Sequence, residues 1–395
     1  MDQRLNKICR NAGCTYTRYA DDITISTNKS IFPKNIITSH EDDLVTLNKR
    51  FIKEITSSGF SLNERKIRLL DTKCKQEVTG LTVNKFVNVD DKYARKVRAM
   101  AHRLFIDGEF HLIDKKTHKK RVGKINELAG MLGFIDSLDK HNNTFPHHKK
   151  LSLNKRERIY SKFIYYTAFC ANTIPTILTE GKTDITYLRV ALNSLADKYP
   201  NLIGDKKVAN ETVRDYKVKF FKNSAKTKYF LHLDGGSSHL KEFLVSFDKK
   251  ADGYKTVRNS NPVIMILDND SGSTGGNGIF QALIGKSFPN ITMSRDELRS
   301  QKWIWAAKNL YIVFTPLNGS KDSSMEDLFD VPTLQTKLEG KVFNRTNEKC
   351  AENEYGKEAF ATGVVLRQRK SIDFSKFSSI FDSIIEIIDH HKNKE

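Results

Sequence analysis

The sequence predicts a multidomain chain of mixed α/β and α+β class. Its parts are an acidic hairpin region, a basic helical stretch, and a C-terminal α/β region with a mainly parallel sheet. Three observations predict it. Near the N-terminus, strand-like alternation flanks two adjacent carboxylates, Asp21 and Asp22. In the middle, apolar residues recur at helical spacing among lysines and arginines. Further on, the short apolar runs Thr176–Thr179, Val263–Leu267 and Leu310–Phe314 alternate with amphipathic segments and lead into acids, as buried parallel strands do. The 395 residues suffice for two or three domains with sizeable cores. Boundaries are expected at 1–90, 91–170 and 171–395.

Lysine and arginine number 66 against 47 aspartates and glutamates, a net charge of +19. A surplus this large points to a polyanionic partner, nucleic acid by default, against the plainer reading of a soluble basic surface. The five cysteines, Cys9, Cys14, Cys74, Cys170 and Cys350, show no Cys-x-x-Cys spacing. They read as free thiols of a reducing compartment and argue against structural zinc. No apolar run reaches membrane-spanning length and no signal peptide is legible, so a cytoplasmic protein without a membrane partner is expected.

The hairpin comes first. Strands over 14–19 and 23–26 bring Asp21 and Asp22 to its tip. A solvated turn is the ordinary reading of an Asp-Asp pair, but two like charges in a tight turn are costly unless a cation neutralises them. The segment Tyr19-Ala20-Asp21-Asp22, with Arg18 before it, resembles the Tyr-x-Asp-Asp box in the palm of reverse transcriptases. The resemblance implies that Asp21 and Asp22 hold catalytic divalent metal for phosphoryl transfer.

Helical spacing of Leu44, Leu47, Phe51 and Ile55 predicts a helix after Asp42-Asp43, ended by Gly59 and followed by a basic strand through Lys66. Helix, Gly-Phe, Leu-Asn and then lysine resembles the next palm motif of that family, which implies Lys66 beside the incoming triphosphate. Around Gly80 the residues read as strand, bend and strand. Val78-Thr79-Gly80 resembles the Val-Thr-Gly triplet of retron reverse transcriptases, implying contact with primer, template and cognate RNA. Tyr93, Val97, Met100 and Leu104 form one apolar stripe, and Arg95, Lys96 and Arg98 lie off it. That pattern suits a thumb helix tracking phosphates, or simply a solvated face. The lysine-rich loop 115–121 reads as a phosphate contact or an insertion, and helices are expected near 124–138 and 155–169.

In the last part, Glu180 follows the run Thr176–Thr179, with Thr183 and Asp184 placed to cap the next helix. A second strand is expected at 229–233, before Asp234-Gly235-Gly236. The run Val263–Leu267 ends in Asp268-Asn269-Asp270, and Leu310–Phe314 precedes Glu326-Asp327. In open α/β sheets, chemistry gathers where strands end. Trp303 and Trp305 read as core packing before base stacking. The apolar side of the last helix, including Phe381, Ile384 and Ile388, reads as docking on the sheet, with a contact between copies second.

These acids resemble a Toprim domain, a Rossmann-like fold with a mainly parallel sheet. Glu326 and the segment from Lys357 resemble the OLD-type nuclease branch. The resemblance implies Mg2+ or Mn2+ held by Asp268 and Asp270, Glu180 as metal ligand or general base, Asp184 and Glu326 completing a second metal site, and Lys357 stabilising charge at the cleaved phosphate. The whole order of partial palm, helical thumb and Toprim resembles retron reverse transcriptases fused to a Toprim effector. That implies RNA-directed DNA synthesis of a branched RNA–DNA in the parent protein and a nuclease serving antiphage defence. The implied partners are a structured retron RNA, the RNA–DNA product and the nuclease's nucleic-acid substrate, in a bacterial cytoplasm, with self-association left open. A non-catalytic RNA- or RNA–DNA-binding scaffold is the rival reading.

The fingers and first palm motifs of that family are absent from this sequence, and among the residues before Asp21 only Asp2 is acidic. A two-metal site short of a ligand loses charge compensation and geometry together. The chain as it stands is therefore expected not to extend a primed RNA template with magnesium and nucleotides; extension in a primer-elongation assay would contradict this.

Overall fold

The computed structural model describes all residues except 42–43, 115, 145–151, 210, 255–260, 271–277, 286, 318, 320, 347–349 and 395. The chain forms two compact units, one of 1–97 with 130–151 and the other of 98–129 with 152–395. The fold is mixed α/β. Among the described residues no helix is long and apolar enough to cross a membrane.

In the first unit, α1 (Asp2–Asn11) buries Leu5 and Cys9 against the hairpin of β1 (Thr15–Tyr19) and β2 (Asp22–Ser26). Tyr19 pairs with Asp22, leaving Ala20 and Asp21 as a two-residue turn. Ala20 sits at φ 51°, a left-handed conformation that costs a residue with a Cβ about 1–2 kcal/mol. Arg18 braces the turn by donating to the Ala20 carbonyl at 2.8 Å.

The helix expected from Leu44 onward is corrected here. Strand β3 (Ile37–Glu41) pairs antiparallel with β4 (Leu44–Leu47), and α2 spans only Lys49–Thr56. The β-branched Val45 and Thr46 suit the hairpin, while the Asn48 side chain accepts from the Arg50 N–H and starts the helix there. Phe51 and Ile55 are buried as the spacing required; Asp42 and Asp43 lie outside the described residues. Between Gly59 and Lys66 the expected basic strand does not form, and Glu64–Lys66 is a single 3-10 turn.

The short strands β5 (Glu77–Val78), β6 (Leu81–Thr82) and β7 (Asn88–Val89) form a three-stranded sheet. Val78 pairs with Leu81, and the turn residues Thr79 and Gly80 have φ of 49° and 82°, the sign pattern of a type I′ hairpin. Helix α3 (Asp91–Asp107) buries Val97, Met100 and Leu104 and exposes Arg95, Lys96 and Arg98. Strands β8 (His111–Ile113) and β9 (Lys120–Val122) pair, and α4 (Ile125–Asn143) buries Leu128, Leu132 and Ile135. Lys115 of the basic loop lies outside the described residues. Arg121 of that loop is already bound to Glu127 through two hydrogen bonds.

The second unit is organised by a five-stranded sheet. Helix α5 (Lys155–Tyr165) leads into β10 (Thr176–Thr179) and α6 (Lys182–Ser194). The exposed hairpin β11 (Ile203–Val208) with β12 (Glu211–Tyr216) comes next, and then β13 (Lys219–Phe220). Helices α7 (Ala225–Leu231) and α8 (Ser237–Ala251) precede β14 (Val263–Leu267). After α9 (Ile279–Ile284) and α10 (Arg295–Ser300), β15 (Ile304–Ala307) and β16 (Leu310–Phe314) complete the sheet, and α11 (Ser378–Lys394) closes the chain.

Spatial order is β13-β10-β14-β16-β15, with β15 the antiparallel member. The strand expected at 229–233 does not exist. Ser224 and Thr227 cap one another's backbone in a capping box, so the apolar run that follows is the helix α7, and the sheet position belongs to the two-residue β13.

Ile177, Ile264, Ile266, Tyr311 and Val313 share one face with Tyr187, Leu188 and Leu192 of α6 and Ile380, Phe381 and Ile384 of α11. On the alternate positions, Phe314 stacks on Phe280 of α9. All five residues of β14 are fully buried, each side chain contributing about 1.5–3 kcal/mol. Trp303 and Trp305 pack against the core, their indoles donating to Glu386 at 3.0 Å and to the Lys308 carbonyl at 2.9 Å.

Open space surrounds Gly80, so only its positive φ resists a side chain. Gly80→Ala should cost about 1 kcal/mol, measured as a lower urea midpoint at unchanged m; an unaltered midpoint would contradict the turn assignment.

Candidate functional site

The chain leaves β10, passes to β13 on one side, and returns past β10 to β14 on the other. The ends of β10 and β14 therefore flank the point where the winding direction reverses, where the carboxyl ends of parallel strands leave a crevice. Glu180 directly follows β10 and Asp268 directly follows β14, and these two strands are paired in parallel register.

Backbone contacts fix both acids. The Gly236 N–H donates to the Glu180 carbonyl at 3.0 Å. Gly235 lies at φ 89°, and a Cβ there would come within 2.8 Å of that same carbonyl oxygen, so both space and conformation demand glycine. The Asp268 side chain accepts from the Met325 N–H at 2.9 Å, joining the end of β14 to the 3-10 turn Met325–Leu328 that carries Glu326. Asp184 lies in the first turn of α6 and accepts from the Gly181 N–H at 2.7 Å, the capping role its position allowed.

These groups repel one another. Burial, then the charges of Asp184, Glu326 and Glu180, push the Asp268 carboxyl up to about 8. Burial, then Asp270 and Asp184, raise Glu180 to about 7, and burial with Glu326 raises Asp184 to about 6. Lys357 is the compensating cation, its Nζ 3.2 Å from the Glu326 carboxylate. Burial works against the Lys357 charge, but the neighbouring carboxylates, Glu326 first, carry its pKa above the ordinary lysine value.

Glu180 Oε2 is buried and accepts no hydrogen bond, while Glu326 Oε1, which also accepts none, lies 3.2 Å from the Lys357 ammonium. Carboxylates that outnumber the one lysine placed among them leave an excess of negative charge with the chemistry that hard divalent cations satisfy. Among the described residues no three His, Cys, Asp or Glu side chains stand close enough to form a ready-made cation cage, so the acids are coupled but not closed around one point.

The other sequence-predicted residues lie in separate places. Asp21 and Asp22 are exposed at the β1–β2 turn. Asp2 is engaged elsewhere, accepting from Tyr16 at 2.7 Å and Arg18 at 2.9 Å. Lys66 is exposed in its 3-10 turn. Thr79 and Gly80 are exposed at their hairpin tip, and Val78 is half-buried beside them.

Sequence reasoning missed what holds Asp268 and Asp270. Asn269 between them is fully buried. Its N–H faces Thr315 Oγ1 at 3.0 Å and the Ser323 carbonyl at 2.9 Å, and Arg299 donates to its side-chain oxygen at 3.0 Å. Thr315 adjoins the apolar run of β16, a signal available in the sequence; nothing local marked Arg299. Tyr187 of α6 carried no signal of a role here, yet its hydroxyl approaches the Lys357 carbonyl at 3.5 Å.

No family model matches this chain, and no solved structure matches it. Curated relatives do. The chain is 32% identical over 146 residues to the retron Mx162 reverse transcriptase of Myxococcus xanthus, covering 35% of this chain and 28% of that protein. It is 31% identical over 145 residues to the retron Mx65 reverse transcriptase of the same organism, 35% and 27% respectively. It is 26% identical over 165 residues to the retron Ec86 reverse transcriptase of Escherichia coli, 41% and 42%. The matches thus span about a quarter to two-fifths of these relatives' lengths.

The raised carboxyl groups set a pH dependence. Below about pH 4 the carboxyls are protonated in both folded and unfolded chains. From there to about pH 8 the unfolded chain has released a proton that folded Asp268 retains, so rising pH favours unfolding across that window. Without divalent cation, stability should fall between pH 5 and 8, and Asp268→Asn should raise the pH 8 melting temperature by roughly 2–8 °C. Calorimetry showing the variant less stable at pH 8 would contradict the burial of a repelled charge.

Proposed function

We propose that this chain joins the palm and thumb end of a retron-type RNA-directed DNA polymerase to a metal-dependent Toprim nuclease of the OLD type. The reverse-transcriptase part rests on the retron relatives and on the order of Asp21-Asp22, Lys66 and Val78-Thr79-Gly80. In this reading Asp21 and Asp22 hold metal, Lys66 neutralises the triphosphate, and the 78–80 turn with Arg95, Lys96 and Arg98 grips the structured RNA and the RNA–DNA product. The open space about the Gly80 tip leaves room for such a partner.

The nuclease part is carried by one observation: carboxylates distant in sequence are electrostatically coupled at the ends of β10 and β14. Asp268 and Asp270 would hold magnesium or manganese, with Glu180 as a further ligand or general base. Glu326 and Asp184 would serve a second ion. A bound divalent ion supplies charge neutralisation and an activated water for phosphodiester hydrolysis. The chain's own residues orient the acids, through Asn269 and the Met325 N–H, and place the Lys357 ammonium beside them. The parent protein would make the branched RNA–DNA molecule, and the nuclease would act as effector in antiphage defence in the bacterial cytoplasm.

A second reading, a non-catalytic RNA- or RNA–DNA-binding scaffold, is favoured by the lack of a finished cation cage among the described residues. Cleavage of labelled DNA and RNA oligonucleotides by the full chain separates the two. Asp268→Ala and Glu180→Ala should each lower magnesium-dependent cleavage by about 10²–10⁴-fold while leaving circular dichroism unchanged. Cleavage that survives in both variants would refute these assignments, and a wild-type chain inert with either metal would favour the scaffold.

A further inference from the structure

The loop whose glycines fix the Glu180 backbone also borders the acids with charged side chains. Residues Asp234-Gly235-Gly236 are bonded to the Glu180 backbone through the Gly236 N–H, and three basic side chains border this loop. Lys182 is two residues from Glu180, at the start of α6. His239 stands in the first turn of α8, its Nδ1 at 3.0 Å from the Gly235 carbonyl oxygen; since a carbonyl only accepts, Nδ1 carries the proton and Nε2 is the other polar atom of the ring. Lys228, on α7, forms an ion pair with Asp234. Lys228 first, then Lys182 and His239, hold the Asp234 carboxyl below its usual range, so all three act on one acid. The N-terminal ends of α6 and α8 add positive potential at the same loop.

We propose that Lys182, Lys228 and His239 form a phosphate-binding rim that holds the backbone of a nucleic-acid strand passing Glu180. The inference deepens the nuclease reading and rests on it. The acids alone repel a polyanion; a strand reaches them only if cations flank them, and divalent ions at the acids neutralise one stretch of backbone while the rim takes the adjoining phosphates. Asp234 fixes Lys228 and offsets only part of the rim's charge. The ligand chemistry is the phosphodiester of RNA or DNA, and a strand of each distinguishes the sources.

The test is amine-reactive footprinting of the full chain, metal-free in EDTA, with and without a single-stranded DNA or RNA oligonucleotide, read by mass spectrometry. Lys182 and Lys228 should lose labelling by roughly threefold or more with at least one of the two. Lys206 and Lys207, exposed on the β11–β12 hairpin, should not change. In cleavage, Lys182→Ala/Lys228→Ala should raise KM roughly tenfold with kcat within about twofold, and lower the salt dependence by about 0.7–0.9 per cation removed. Lys206→Ala/Lys207→Ala should leave KM unchanged. Equal labelling of all four lysines with and without strand, or an unchanged KM in the rim variant, would overturn the rim even if Asp268→Ala abolishes cleavage. Protection of Lys182 and Lys228 in a chain that never cleaves would keep the rim and refute the nuclease reading.

Discussion

Repulsion among buried and half-buried carboxylates is the constraint on which the second unit depends. Glu180, Asp184, Asp268, Asp270 and Glu326 act on one another with Lys357 as the cation among them. A core built only for stability would replace such a cluster with apolar side chains, since burying unpaired charge is among the costliest things a fold can do. The sheet tolerates it because the acids lie beyond the strand ends, on the loops, helix start and 3-10 turn where the winding reverses, and not inside the fully buried β14.

The surrounding architecture holds this unfavourable arrangement in place. Gly235 presses against the Glu180 carbonyl, where no side chain would fit. Asn269 is locked by Thr315, Ser323 and Arg299, so the residues on either side of it cannot relax apart. The Asp268 side chain accepts from the turn that carries Glu326. Backbone and amide contacts thus do the positioning, which leaves carboxylate oxygens such as Glu180 Oε2 without donors. Strain of a related kind marks the first unit, where Ala20 takes a left-handed conformation beside Asp21.

Much of this was legible in the sequence, for physical reasons. β10, β14 and β16 are short apolar runs, and a parallel strand buried on both faces has little choice but to be one. The α3 stripe and the β1–β2 hairpin followed from their periodicities. What failed was the choice between helix and strand where an apolar run is brief. The run at 229–233 satisfies either element, and the capping pair Ser224 and Thr227 decided for helix. The segment from Leu44 to Ile55 kept a helical stripe only in its second half, and Asn48 marked the change. β13 has two residues, Lys219 and Phe220, too few for any periodic signal. At the site, acids announced themselves by type and position, whereas Arg299 and Tyr187 belong to it through tertiary contacts that no local pattern records.

Anomalous diffraction from crystals of the full chain equilibrated with manganese would test the central claim most directly. The account requires a manganese peak at the ends of β10 and β14, within coordination distance of carboxylate oxygens from Asp268 and from Glu180 or Asp270. Manganese peaks elsewhere with none at this crevice, and the acids instead neutralised by protonation or by Lys357 alone, would contradict it.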